Sequence, residues 1–161
     1  MALVSSKEIL MKAQQEGYAV GAFNAENMEM VQAIVAAAEE LSSPVIIQTT
    51  PGSLQYADTD MFFGMVNAEA KKAKVPVALH LDHGNSAELC AKAILSGYTS
   101  IMIDGSKLAF SENVALTKKV VEFAHAMGVP VEGELGTVGG KEDTHEVKDS
   151  EKSYTDPEEA K

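Results

Sequence analysis

A single cysteine, Cys90, stands in a chain of 161 residues. No internal disulfide and no thiolate metal cluster can form, which suits a reducing compartment and leaves His, Asp and Glu to hold any metal. Basic residues are also scarce: 13 Lys+Arg against 24 Asp+Glu give a net charge of −11, a field that repels nucleic acid and anionic lipid. Neither nucleic acid nor a membrane is expected as a partner. The longest wholly apolar run, Ala33–Ala38, falls far short of the ~18 residues that cross a bilayer, and Met1–Leu10 has no signal-peptide apolar segment. A cytoplasmic location is therefore expected. With 45% hydrophobic and 23% charged residues, the chain can bury a core, and disorder throughout is excluded.

What the chain does have is a repeat. Five short apolar or β-branched runs, Ala19–Phe23, Pro44–Thr49, Pro76–Asp82, Thr99–Asp104 and Val129–Glu134, start 25, 32, 23 and 30 residues apart. Each interval fits one βα unit with room for a crossover helix. The runs are apolar at both alternating positions, the pattern of parallel strands covered on both faces. Between them, Met28, Val31, Ile34, Val35 and Ala38 share one helical face while Glu26, Glu29, Gln32, Glu39 and Glu40 share the other. Ser86–Leu95 and Ser111–Met127 follow the same rule, the latter with Val114, Thr117, Val121 and His125 facing inward. Ser5 and Glu8 have capping-box spacing and open a first helix, Ser5–Glu16. The eight methionines are expected to fill the core. The fold class is α/β, an open doubly wound sheet or a closed barrel, in a single domain over residues 1–161.

Both architectures place ligand chemistry at the C-terminal strand ends. The runs end in Asn24, Thr50, Asp82-His83, Asp104 and Glu134, and none contains a lysine or arginine. Asn, Thr and Asp ahead of a helix are also preferred N-caps, so Asn24, Thr50 and Asp104 suit capping as well as a site. Asp82-His83-Gly84 and Glu132-Gly133-Glu134 suit function better. A carboxylate or imidazole at the end of an apolar strand is costly to bury unless paired or ligating, and Glu is a poor N-cap. His80 and His83 form an H-x-x-H pair, but residues three apart on a strand point to opposite faces and cannot share a metal unless the strand breaks. His83 is the better ligand and His80 the better hydrogen-bonded core residue. His125 is expected to be structural, His145 solvated and Cys90 a small packed apolar group.

Gly136, Gly139 and Gly140 follow the fifth run and precede Glu142-Asp143. Glycines there permit a hinge that would carry Glu142 over a substrate, an ordinary surface loop being the plain alternative. From Lys141 to Lys161, 12 of 21 residues are charged, and residues 136–155 are expected to form a mobile active-site loop. Asp156-Pro157-Glu158-Glu159 reads as an N-cap, a first-position proline and an acidic first turn. The sequence stops two residues later, and more chain is expected to follow.

Five segments in order carry a resemblance: Gly17-Tyr18-Ala19-Val20-Gly21-Ala22-Phe23-Asn24, Ser43-Pro44-Val45-Ile46, Pro76-Val77-Ala78-Leu79-His80-Leu81-Asp82-His83-Gly84, Ser100-Ile101-Met102-Ile103-Asp104-Gly105-Ser106, and Val131 through Asp143. Together the chain resembles the class II metal-dependent ketose-bisphosphate aldolases, the group holding fructose- and tagatose-bisphosphate aldolases. The resemblance implies an eight-stranded (β/α) barrel, or TIM barrel, of which this chain supplies an N-terminal helix and the first five βα units. It implies catalytic zinc at the strand ends, with His83 as one of three zinc-binding histidines. Asp104 and Glu134 resemble residues that hold a second or alternative divalent position, and a monovalent cation is a further implied ion. Asp82 resembles the acid/base that handles the C4 hydroxyl proton as the C3–C4 bond breaks or forms. Glu142 resembles the loop acid that moves the proton at C3. Asn24 and Thr50 match substrate-contacting positions, Thr50 standing where serine is commoner. The implied partners are a phosphorylated sugar, a remaining C-terminal barrel segment with the other zinc histidines and the 1-phosphate loops, and further copies in a homodimer or homotetramer.

The implied reaction is the glycolytic one, reversible aldol cleavage of a ketose 1,6-bisphosphate to dihydroxyacetone phosphate and glyceraldehyde 3-phosphate. Zinc would act there as a Lewis acid on negative charge beside the carbanion. A Schiff-base route needs a buried lysine, and no expected strand offers one. The net charge of −11 requires the substrate's phosphates to be met locally, by metal, backbone amides and helix N-termini. The competing expectation is a noncatalytic phosphosugar-binding or folding fragment, because a half barrel leaves open sheet edges. The isolated piece is expected to be inactive.

Overall fold

The computed structural model describes residues 3–137 and 154–161, together with the backbone of 140–142 and 145–147. The elements run α1 (Ser6–Glu16), β1 (Gly21–Asn24), α2 (Met28–Glu40), β2 (Val45–Thr49), α3 (Ser53–Tyr56), α4 (Thr59–Lys72), β3 (Val77–Gly84), α5 (Ala87–Ser96), β4 (Ser100–Ile103), α6 (Phe110–Ala126), β5 (Val131–Gly133), β6 (Gly140–Glu142) and β7 (His145–Val147). Local chemistry sets the helix boundaries. Ser5, Asn27, Asp58 and Ser86 each accept a backbone N–H from the first turn that follows them, and Gly17 and Gly97 close α1 and α5 at φ of 75° and 109°, a conformation that costs glycine little.

Strands β1 to β5 pair in sequence order, and every pairing is parallel. A doubly wound sheet reverses its strand order partway; this one never does, so right-handed crossovers put the connecting helices on one face, as in an arc of a barrel. The two faces separate by residue parity. Val45, Ile47, Val77, Leu79, Leu81, Ile101 and Ile103 join the main core beneath α2, α4, α5 and α6, while Ile46 and Ala78 meet Ile9 of α1 on the opposite face. Helix α1 thus sits on the concave side, where the hydroxyl of Ser6 donates to Ser100 Oγ at 2.8 Å. Among the described residues no helix is long and apolar enough to cross a membrane.

Several expectations change. The central strands β2, β3 and β4 are buried almost throughout, but all four residues of β1 are exposed and β5 is only partly covered, because each has a strand on one side only. Methionine does not fill the core: Met102 is buried, whereas Met11, Met28, Met30, Met61 and Met127 are 37–63% exposed, lying on helix surfaces turned from the sheet. The inner face of α6 is rotated by one residue. Asn113, Val120 and Ala124 are buried and His125 is exposed, because the Asn113 amide is drawn inward to donate to the Glu134 carbonyl at 2.8 Å. Cys90 is fully buried, its Sγ 3.6 Å from the Met102 carbonyl, and burial pushes its thiol up to about 11. Within the glycine-rich segment β6 and β7 pair as an antiparallel hairpin, Gly140 opposite Val147. The expected mobility of 136–155 and the solvation of His145 fall largely outside the described residues. At Asp156 the side chain accepts the Glu158 N–H at 2.8 Å and the carbonyl accepts from Ala160 at 3.1 Å, the single helical turn that the Asp-Pro-Glu-Glu pattern calls for.

Candidate active site

Strand β3 breaks its own alternation where the polar residues begin. Its register against β4 shifts between Leu81 and Gly84, and His83 takes φ of 118°, a region that costs a non-glycine residue about 1–3 kcal/mol. The break turns His83 to the strand end beside Asp82. Gly84 makes room for it, since a Cβ there would meet the Met102 carbonyl oxygen at 2.6 Å and Cys90 Sγ at 2.9 Å.

Three neighbouring strands then deliver their acids to the imidazole. His83 Nδ1 lies 3.3 Å from Asp104 Oδ2 and 3.5 Å from Glu134 Oε2, and its Nε2 lies 3.7 Å from Asp82 Oδ1. One ligand atom from each of His83, Asp104 and Glu134 falls within 4.8 Å of the other two. The hydrogen bond to Asp104 foremost, then the charges of Asp82, Glu134 and Asp104, hold His83 up at about 9 against the opposing effect of burial. Asp104 is held well below the usual carboxylate range, first by His83 and then by Ser106, which donates to Oδ1 from its backbone at 2.9 Å and its hydroxyl at 2.6 Å. The carboxylates around the ring favour positive charge among them, which either a protonated His83 or a bound cation can supply. Nitrogen plus two carboxylate oxygens is a donor set that suits zinc or a harder divalent ion.

His80 lies one layer deeper on the concave face. It is 4% exposed, its Nδ1 is 2.7 Å from Ser100 Oγ, and burial pushes it down to about 4. It is a core histidine and stays out of the cluster. Glu132 reaches toward it, Oε2 standing 3.6 Å from His80 Nε2; burial and the charge of Asp82 raise its carboxyl above the ordinary value, against His83.

The remaining sequence candidates are placed differently. Asn24 ends β1 exposed, and the cap of α2 is Asn27 instead. Thr50 is 4% exposed and tied into a turn, its Oγ1 3.2 Å from Ser53 Oγ, while Ser53 donates to Glu26 Oε1 at 2.9 Å; the structure shows it in turn duty, apart from the acid cluster. Glu142 pairs through its backbone with His145 in the hairpin, and its side chain lies outside the described residues. Two supporting residues escaped the sequence reading. Ser106 holds Asp104, a role signalled by an Asp-Gly-Ser turn, and Asn113 holds the backbone at Glu134, signalled by one amide on an otherwise apolar helix face.

The profile of the family described as Fructose-bisphosphate aldolase class-II matches residues 4–161. The chain is 54% identical over 162 residues to a probable fructose-bisphosphate aldolase of Bacillus subtilis, covering 99% of this chain and 56% of that protein. It is 52% identical over 159 residues to the fructose-bisphosphate aldolase of Thermus caldophilus, covering 99% and 52%. Among solved structures, the YdjI aldolase of Escherichia coli K12 superposes with a TM-score of 0.85 at 39% identity, over 98% of this chain and 56% of that one. A fructose-1,6-bisphosphate aldolase described as putative from Coccidioides immitis gives 0.84 at 34% identity over 96% and 55%. The chain thus spans about half the length of the curated relatives it matches, and its parallel sheet is the N-terminal portion of a (β/α) barrel. By profile, sequence and superposition alike, this chain belongs to the class II fructose-bisphosphate aldolase family.

Proposed function

We propose that this chain carries the N-terminal half of a zinc-dependent aldolase that reversibly splits fructose or tagatose 1,6-bisphosphate into dihydroxyacetone phosphate and glyceraldehyde 3-phosphate. The observation that carries the reading is the meeting of His83, Asp104 and Glu134 within 4.8 Å, with Asp82 beside them. His83 would hold the catalytic zinc, and Asp104 with Glu134 a second or alternative divalent position; a monovalent cation belongs to the same reading. When bound, zinc supplies Lewis-acid stabilisation of negative charge beside the carbanion. Asp82 takes the C4 hydroxyl proton as the C3–C4 bond breaks and returns it in the aldol direction. Glu142 moves the C3 proton from residues 136–155 acting as a mobile loop, and Asn24, exposed at the rim, orients the sugar phosphate. Thr50, held in the turn after β2 through Ser53, contacts the substrate from that turn. No lysine lies on β1 to β5, which agrees with metal rather than Schiff-base chemistry. The reading extends to a cytoplasmic homodimer or homotetramer, supported by buried free Cys90 and by Tyr56, Leu95 and Met127, all more than 60% exposed.

The test is cleavage of both bisphosphates by the chain alone and with the C-terminal segment of the Bacillus subtilis relative supplied. The chain alone should be inactive. The reconstituted barrel should cleave, lose activity to a chelator and regain it with zinc. Inactivity of a properly folded reconstituted barrel would favour the phosphosugar-binding alternative, to which the exposed edge strand β1 gives some footing.

A further inference from the structure

One buried polar atom of the concave face is unexplained by the proposed reaction: among the described residues, His80 Nε2 is buried without a hydrogen-bond partner. Its protonation is coupled to its neighbours. Ser6 Oγ donates to Ser100 Oγ at 2.8 Å, and Ser100 Oγ lies 2.7 Å from His80 Nδ1, to which it donates when that nitrogen carries no proton. A neutral imidazole that accepts at Nδ1 carries its proton on Nε2, and burial keeps this ring neutral at physiological pH. In that tautomer the relay from α1 through β4 presents an N–H donor inside the sheet's curve. The acceptor facing it is Glu132 Oε2 at 3.6 Å, outside hydrogen-bond range by about half an ångström. The Glu132 side chain is 62% exposed and free to close that gap.

Glu132 and Glu134 sit two apart on β5 and its end, so strand alternation sends both toward the concave side. Two acids thus leave the strand on the same side, yet only Glu134 joins His83 and Asp104. We infer that His80 is a positioning residue: its Nε2–H holds the Glu132 carboxylate in the layer beneath the cluster and so leaves Glu134, not Glu132, to ligate. The inference rests on the metal reading above. It gives the Ser6–Ser100–His80 relay a purpose, which is to fix one tautomer so that Nε2 is always a donor. Helix α1, remote from the strand ends in sequence, is by this route part of the site's support.

Two measurements on the full chain test it. Imidazole proton–nitrogen correlation spectra of the metal-free chain should show His80 as the neutral Nε2–H tautomer, its proton resonance moving on Glu132→Gln and the ring becoming a tautomer mixture on Ser100→Ala. An Nδ1–H tautomer, or a resonance indifferent to Glu132→Gln, overturns the contact. In cobalt(II) titrations, His80→Phe should bind about tenfold more tightly as Glu132 becomes an extra ligand, and adding Glu132→Gln should return the affinity to that of the parent. Glu132→Gln alone should leave it within about twofold of the parent, since in the parent Glu132 is withheld. Unchanged or weaker binding by His80→Phe, or lost binding by Glu132→Gln alone, overturns the withholding role. If His80→Phe fails to fold, Ser100→Ala takes its place in the titration, with the same direction expected. If the chain alone binds no cobalt, the titrations are made on the barrel reconstituted with the C-terminal segment, whose histidines complete the site; no binding there overturns the metal reading, and the imidazole spectra still decide the His80–Glu132 contact.

Discussion

Three carboxylates crowd the ring of His83, and they differ in what each can be asked to do. His83→Ala removes the one nitrogen that the described residues bring to the donor set and, in the reconstituted barrel, should weaken zinc binding by at least about 100-fold, a loss read by competition with a chromophoric chelator. Asp82→Ala removes a group that faces the other side of the ring. In the reconstituted barrel it should keep its zinc and lose about 100-fold or more of carbon–carbon cleavage, while proton exchange on dihydroxyacetone phosphate persists. Parallel loss of both activities with zinc retained would remove Asp82 from proton transfer. Asn113 acts one step further back. Asn113→Leu keeps the volume but leaves the Glu134 carbonyl without its donor, and urea unfolding should show a loss of about 1–3 kcal/mol.

Strand β3 is the element on which the site depends, and its glycine shows why. A methyl group at Gly84 would press on the backbone carbonyl of Met102 and on Cys90 Sγ, neither of which can step aside. Gly84→Ala should therefore cost about 1–3 kcal/mol of stability in denaturant titrations, and it should move the His83 imidazole resonances more than Gly64→Ala, where nothing lies within 4 Å of the added group. Much of this architecture was legible in the sequence because strands and their polar ends differ sharply in chemistry: runs such as Val77–Leu81 give way at once to Asp82-His83. Parallel repeats sent His83, Asp104 and Glu134 to one rim, while capping remained open for Asp104 and the family resemblance singled the three out as ligands. What escaped was set by tertiary context. The inward turn of α6 depends on the bond from Asn113 to Glu134, which no periodicity encodes. The break at His83 depends on contact with β4, and the burial of Thr50 depends on Ser53 and Glu26 folding over it. Exposure of Met28 and Met61 was hidden because a flexible apolar side chain has no positional signature of its own.

At the scale of the molecule, two histidines three residues apart are displaced in opposite directions, and stability should record both. His80 is depressed to about 4, so the unfolded chain binds its proton more readily, and stability falls as pH drops from about 6.5 toward 4, by about 3 kcal/mol at most. His83 is raised to about 9, so its contribution is fully present below about 6.5 and is lost as pH climbs through 9. The metal-free chain should accordingly be most stable near pH 6.5, with denaturation midpoints falling on both sides. Saturating zinc should erase the alkaline limb, because a coordinated ring has no proton to lose there, while the acid limb of His80 stays. A flat profile between about pH 5 and 9 would refute both assignments. The unbroken strand order β1-β2-β3-β4-β5 bears on something else, the time course of synthesis. Each strand pairs with the one made just before it, Val45 with Gly21, Val77 with Val45, Ser100 with His80 and Val131 with Ile101. Every sheet contact closes a loop of only one βα unit, the kind of local closure that lets a polypeptide fold in the order it leaves the ribosome. His83, Asp104 and Glu134 all lie on the last three of those strands or at their ends, so the share of the cluster that this chain supplies is assembled as soon as β5 docks.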